Sequence, residues 1–145
     1  MIAQPLLRVE NLFKYFPVSR SMLLQLMGRQ ERVVHAVDDV SFDLDKGEIL
    51  ALVGESGSGK TTVGMNVLGL QVPTKGRVLF DGFDVAYWSQ GRISAAEDPH
   101  GQGLAQLSGR KQILLLRRRA QMIFQDPYGS LDPRQKVFDT VAEAL

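Results

Sequence analysis

The chain has 145 residues, 17 Lys+Arg against 16 Asp+Glu, and a formal net charge of +1. That length suits one domain with a real core, and the near-zero balance gives no whole-chain argument for a nucleic-acid or acidic-substrate partner. The absence of cysteine excludes a disulfide scaffold, a Cys-ligated zinc site and a thiol nucleophile.

The longest apolar runs, Ile49 to Val53 and Ile113 to Leu116, fall far short of the ~20 residues a membrane span needs. The N-terminus lacks a signal-peptide pattern, because Glu10 and Lys14 interrupt any apolar core after Arg8. The chain reads as soluble and cytosolic.

Residues 6–16 predict an opening strand that closes at Pro17. Residues 17–32, with Ser19, Ser21, Gly28 and scattered charges around Met22, Leu23 and Leu24, read as a surface insertion with one amphipathic turn. From Val33 to Leu44, Val34, Val40, Phe42 and Leu44 share one parity against Asp39, Ser41 and Asp43, the pattern of a half-buried strand. Ile49 to Val53 is apolar without alternation, which predicts a strand covered on both faces, as in a parallel sheet.

A helix is expected over 60–70, ended by Gly69 and Pro73. Arg77 to Phe80 and Phe83 to Ala86 flank Asp81-Gly82 as a hairpin. Residues 87–106 are polar and Gly-rich and read as a variable loop, followed by a basic helix over about 108–119. Ala120 to Phe124 predicts a second short buried strand. A final helix begins near residue 135 with Val137, Phe138, Val141 and Leu145 on one face.

Gly54-Glu-Ser-Gly-Ser-Gly-Lys60-Thr61 matches G-x-x-x-x-G-K-T, the phosphate-binding loop, and it falls between a predicted strand and a predicted helix. Its glycines let the backbone N–H groups of Gly54, Glu55, Ser56, Gly57, Ser58 and Gly59 curl into an anion nest. The helix starting at Lys60 adds the positive end of its dipole. Lys60 suits the β- and γ-phosphates, the Thr61 hydroxyl suits Mg²⁺, and Thr62 adds a hydrogen-bond donor. The bland alternative is a Gly/Ser-rich turn before a helix.

Together with Val37-Asp-Asp-Val-Ser-Phe42 and Lys46-Gly-Glu48, this loop resembles the nucleotide-binding domain of ABC transporters. Met122-Ile-Phe-Gln-Asp-Pro-Tyr-Gly-Ser-Leu-Asp-Pro-Arg134 resembles the Q-loop segment of that family. More narrowly it is similar to the oligopeptide and dipeptide importer ATPases, with Asp132 where an Asn is expected. The resemblance implies an α/β fold of the P-loop NTPase, ABC type, with an antiparallel β subdomain. Residues 1–145 would be the N-terminal part of one such domain, with 17–32 and 87–106 as insertions and 135–145 opening a helical subdomain.

The resemblance gives Gln125 the role of positioning water and Mg²⁺, and a neutral amide at a buried strand end can do both without adding charge. It gives Phe16, beside Tyr15, the role of stacking on adenine; its alternative is sheet core. Tyr128 and Leu131 would meet a transmembrane partner or simply pack their loop. The family's signature, Asp-Glu strand and switch histidine all follow the Q-loop, and none follows Gln125 here, so the chain alone is expected to bind ATP without hydrolysing it. Leu107-Ser-Gly-Arg110 resembles the signature's start, but it precedes Gln125 and is rejected.

Five of the chain's 17 cations, Arg110, Lys111 and Arg117 to Arg119, crowd one predicted helix. They read as a solvated face that complements the helix dipole, with lipid headgroups or nucleic acid as alternatives. His35 and His100 have no ligand cluster.

The expected function is therefore the MgATP-binding part of an importer ATPase for peptides or similar small solutes. The expected cofactors are ATP and Mg²⁺. The expected partners are transmembrane permease subunits, a second ATP-binding subunit and, indirectly, a solute-binding protein, with no nucleic acid. The expected place is the cytoplasmic side of the cell membrane. The alternatives are a soluble ABC-type ATPase of repair or translation and a non-catalytic nucleotide-binding module. An unrelated P-loop kinase or GTPase is disfavoured by the lack of Asn-Lys-x-Asp.

Overall fold

The computed structural model describes residues 4–18, 33–98, 102–125, 132 and 134–142. Most of the expected insertion at 17–32, the Asp126 to Leu131 run with Tyr128, His100, and Leu145 therefore lie outside the described residues.

Strand β1 (Leu7–Pro17) and strand β2 (Val33–Leu44) form where the sequence predicts strands and pair antiparallel. With β3 (Lys75–Phe80) and β4 (Phe83–Asp84) they make one four-stranded sheet in the order β2-β1-β3-β4. Its buried face holds Leu7, Val9, Leu12, Val37, Val78 and Phe83.

The alternation in β2 is not continuous. Val40, Phe42 and Leu44 are half-buried as expected, but Val34 is 52% exposed and the inward residue before the break is Val37. The cause is a bulge shared by both strands. Asn11 and Asp39 adopt φ of 44° and 50°, and the Asn11 side chain donates to the Asp39 carboxylate at 2.9 Å. One extra residue in a strand shifts its inward parity, so β1 buries Leu7 and Val9 before the bulge and Leu12 after it.

The β3–β4 turn has positive φ at both Asp81 and Gly82, the geometry that matches strand twist in a two-residue hairpin. Strand β4 is shorter than expected. The Asp84 side chain accepts from the Ala86 N–H at 2.8 Å and so caps a helix, α2 (Val85–Ser89), where the sequence predicted more strand.

The expected polar loop over 87–106 is also corrected. Trp88 is fully buried and Ile93 and Leu104 nearly so, packed with Phe83 and Val85. Two 3-10 turns, Ala95–Glu97 and Leu104–Gln106, carry the chain across to helix α3 (Gly109–Arg119). The knot is Gln112. Its amide nitrogen donates to the carbonyls of Ile93, Leu104 and Leu107, and its amide oxygen accepts from the Ile93 N–H at 3.0 Å. Trp88 Nε1 donates to the Gln112 carbonyl at 2.7 Å. A segment with few apolar residues thus packs because one buried amide reaches four backbone groups, its two N–H hydrogens shared among the three carbonyls.

The two expected buried strands are not strands here. Ile49 and Val53 are 94% and 93% exposed, and Ile123 and Phe124 are 94% and 55% exposed. Their apolar composition suits a sheet interior, but a strand also needs neighbouring backbone N–H and C=O groups. Among the described residues every strand belongs to the antiparallel sheet, and none pairs with either run.

Helix α1 (Lys60–Val67) follows the glycine loop, and Val63 packs into the sheet's core. Helix α4 (Val137–Ala142) comes last, with Val137 and Phe138 exposed.

Candidate functional site

The loop from Gly54 to Gly59 curls immediately before α1. Gly57 and Gly59 take φ of 80° and 90°, and Gly59 is the N-cap residue of the helix. Gly59 packs against β2: a β-carbon there would sit 2.2 Å from the Ala36 carbonyl oxygen. The first helical bond, Val63 N–H to the Gly59 carbonyl at 2.9 Å, continues from that contact. The glycine loop is therefore anchored to the sheet on one side while Gly54 to Ser58 remain exposed on the other.

The Lys60 ammonium reaches back over the loop. It donates to the Gly54 carbonyl at 2.7 Å, the Glu55 carbonyl at 2.6 Å and the Ser58 hydroxyl at 3.1 Å. A cation is thus held by neutral oxygens at a helix N-terminus, where the dipole adds further positive potential. Both features favour an anion. Thr61 is exposed, and the half-buried Thr62 accepts from Asn66 through its carbonyl at 2.7 Å.

Phe16 is half-buried on β1, directly across from Val34 of β2. Because Ala36 touches Gly59, Phe16 lies one strand over and two residues along from the loop's anchor. Lys14 Nζ sits 5.0 Å from the Phe16 ring centroid and also donates to the Val72 carbonyl at 2.8 Å. Tyr15 is committed elsewhere. Its ring stacks on His35 at 4.1 Å, and its hydroxyl donates to Asp38 at 2.8 Å. That hydrogen bond, followed by burial and the charges of Asp38 and Asp39, raises the Tyr15 pKa above its ordinary value. Of the aromatic pair, Phe16 is the one without an aromatic stacking partner among the described residues.

Gln125 is exposed at the end of the segment that follows α3. That segment passes α1, since a β-carbon on Gly64 would meet Met122 Cε at 3.4 Å. Among the described residues no hydrogen bond joins Gln125 or Phe16 to the glycine loop. Sequence reasoning missed Lys14 and the Ala36 contact. The first was visible only as an i, i+2 neighbour of Phe16 on a strand face, and the second carries no sequence signal.

A glycine loop that caps a helix, with its own lysine reaching back over it, fits the phosphate-loop motif on the helix side, while among the described residues no strand leads directly into it. Comparison with known proteins narrows this, because the ABC transporter family model matches residues 37–144. The chain belongs to the ABC transporter family.

Among curated relatives, the glutathione import ATP-binding protein GsiA of Escherichia coli K12 is 43% identical over 142 residues, covering 98% of this chain and 19% of the relative. The same protein from Escherichia coli O1:K1 / APEC matches with the same identity and coverage. The chain thus spans about a fifth of the length of these relatives. The solved structure of cbiO1 from Clostridium perfringens, part of the ABC transporter complex cbiONQ, aligns with a TM-score of 0.54 at 21% identity. It covers 97% of this chain and 47% of that one, and supports the fold. Among the described residues no helix is long and apolar enough to cross a membrane.

Proposed function

We propose that the chain is the MgATP-binding part of an ABC importer ATPase that energises uptake of peptides or similar small solutes. The observation that carries this reading is the Lys60 ammonium, held by two carbonyls and one hydroxyl at the Gly59-capped start of α1.

The residues fit a nucleoside triphosphate. All three oxygens on Lys60 are neutral, so phosphate oxygens compete well for the ammonium. A β-carbon on Gly57 would meet nothing within 4 Å, which leaves that side of the loop open to a ligand. The loop N–H groups from Gly54 to Gly59, with Thr62, cradle the phosphates, and Phe16 offers the adenine a π-face. The exposed Thr61 hydroxyl and the Gln125 amide are neutral oxygen donors of the kind Mg²⁺ accepts. Mg²⁺ held by Thr61 and Gln125 would supply countercharge to the phosphates. Lys60 then holds the phosphates from the loop side, and Gln125 orients a water.

In this reading residues 1–145 form the N-terminal part of one nucleotide-binding domain, ahead of a helical subdomain that opens at 135–145. The domain works on the cytoplasmic face of the membrane with permease subunits, a second ATP-binding subunit and a solute-binding protein. The names of the GsiA relatives support the importer assignment. Solute uptake in cells separates importer from other uses of the fold. A Lys60→Ala chromosomal variant that loses peptide uptake supports the proposal, and one that keeps uptake but loses DNA repair or translation contradicts it.

A further inference from the structure

Of the five cations of α3, four pair with no acidic side chain among the described residues. Arg117, Arg118 and Arg119 sit in the last turn, where the helix dipole welcomes positive charge. Arg119 is also used internally, paired with Asp81 at 2.7 Å and lying over Phe80 and Trp88. Arg110 and Lys111 are the opposite case. They stand in the first turn, where the dipole opposes a cation, and that turn holds no acidic residue. Among the described residues Arg110, Lys111, Arg117 and Arg118 are exposed and form no salt bridge.

These charges frame an apolar stripe. Leu107, Lys111, Leu114, Leu115 and Arg118 follow helical spacing and line one shallow, mainly apolar depression of about 210 Å³. Leu114 is 46% exposed, with Arg110 and Lys111 one turn before it and Arg117 and Arg118 one turn after. The helix's inner face is spent on Leu116 and Gln112, with Leu115 packed partly against the same core, so Leu114 is the exposed leucine of the stripe.

We propose that this stripe of α3 docks on an anionic phospholipid surface, with the four cations at the headgroups and Leu114 at the acyl boundary. Long basic side chains keep their charge in the polar layer while their stems and a neighbouring leucine enter the apolar one. Protein-binding patches favour aromatic residues and methionine as well as arginine, and of these α3 carries only arginine. Nucleic acid would use the cations but has no use for an exposed leucine between them. The location rests on the proposed importer role, which puts the chain beside a membrane.

The test is co-sedimentation of the purified chain, without nucleotide or permease, with vesicles of phosphatidylglycerol and phosphatidylcholine against phosphatidylcholine alone. Failure here leaves the nucleotide reading untouched, since that is read by MgATP titration. The expected result is partition onto the anionic vesicles only, weakened by added salt. Lys111→Gln and Arg118→Gln should each lower the partition coefficient about fivefold. Leu114→Gln should lower it at unchanged charge, and Lys75→Gln, at the end of β3 away from Asp81 and α3, should leave it unchanged. Fluorescence of Trp88, buried against α3, reports that each variant is folded. Equal partition onto both vesicle types, or full partition by the Lys111 and Arg118 variants, would overturn the proposal. So would tighter binding to a DNA duplex that Leu114→Gln leaves intact.

Discussion

The carbonyl oxygen of Ala36 lies where a β-carbon on Gly59 would come within 2.2 Å of it, so the glycine loop and strand β2 touch backbone to backbone. Gly57 shares the left-handed conformation, but its β-carbon would meet nothing within 4 Å. The two glycines therefore separate strain from collision. Gly57→Ala is expected to cost only the conformational term, roughly 1–3 kcal/mol. Gly59→Ala is expected to cost clearly more and to push the loop off β2. Urea unfolding of the two variants checks this, and equal midpoints would show that the Ala36 contact is unimportant.

Gln112 predicts a large local effect. Replacing it with leucine keeps the volume but strands the Ile93 N–H and the carbonyls of Ile93, Leu104 and Leu107. Each buried unpaired group costs about 1–3 kcal/mol, so the variant should lose at least about 3 kcal/mol in urea unfolding followed by Trp88 fluorescence. A loss below about 1 kcal/mol would mean the 85–107 segment holds without the amide.

Much of the architecture was legible in residue pattern because it is local. Alternation marked β2 and the run ending at Pro17 marked β1, and the eight-position glycine motif placed the loop and α1. What was missed depends on partners. Ile49 to Val53 has the composition of a two-sided strand, yet pairing is a property of a neighbour that pattern cannot supply. The 87–106 segment looked polar because its apolar residues are sparse. The Val85–Trp88 spacing of three residues, and an amide at Gln112 four before the buried Leu116, were the available signals of an inward face. The glycine loop's position before α1 was legible, whereas Lys14 over Phe16 emerged only from the packing of β1.

Phe16 yields a test of base stacking. If its ring carries adenine, Phe16→Ala should weaken MgATP binding by roughly 1–3 kcal/mol, while Phe16→Tyr should be nearly neutral. Isothermal titration of both variants distinguishes this from a packing role, which would lower folding stability equally with and without nucleotide.

Tyr15 makes the alkaline limb of stability specific. Its hydrogen bond to Asp38 raises its pKa in the folded state. The protonated phenol is therefore favoured by folding. The contribution is fully present below the unfolded value of about 10 and is lost as pH rises through the folded value. Asp38→Asn should bring the Tyr15 phenolate absorbance to lower pH, with Tyr15→Phe identifying its share among the three tyrosines. An unchanged titration in Asp38→Asn would remove the hydrogen bond from the account.

The central claim is that Lys60, held by Gly54, Glu55 and Ser58, marks a nucleotide phosphate site. Calorimetric titration of MgATP into the purified chain and into Lys60→Ala tests it most directly, with circular dichroism confirming that both are folded. Loss of charge-assisted hydrogen bonds worth roughly 1.5–3 kcal/mol predicts affinity about ten- to a hundredfold weaker in the variant. Equal affinity in the two folded proteins, or no binding by the parent, would contradict it.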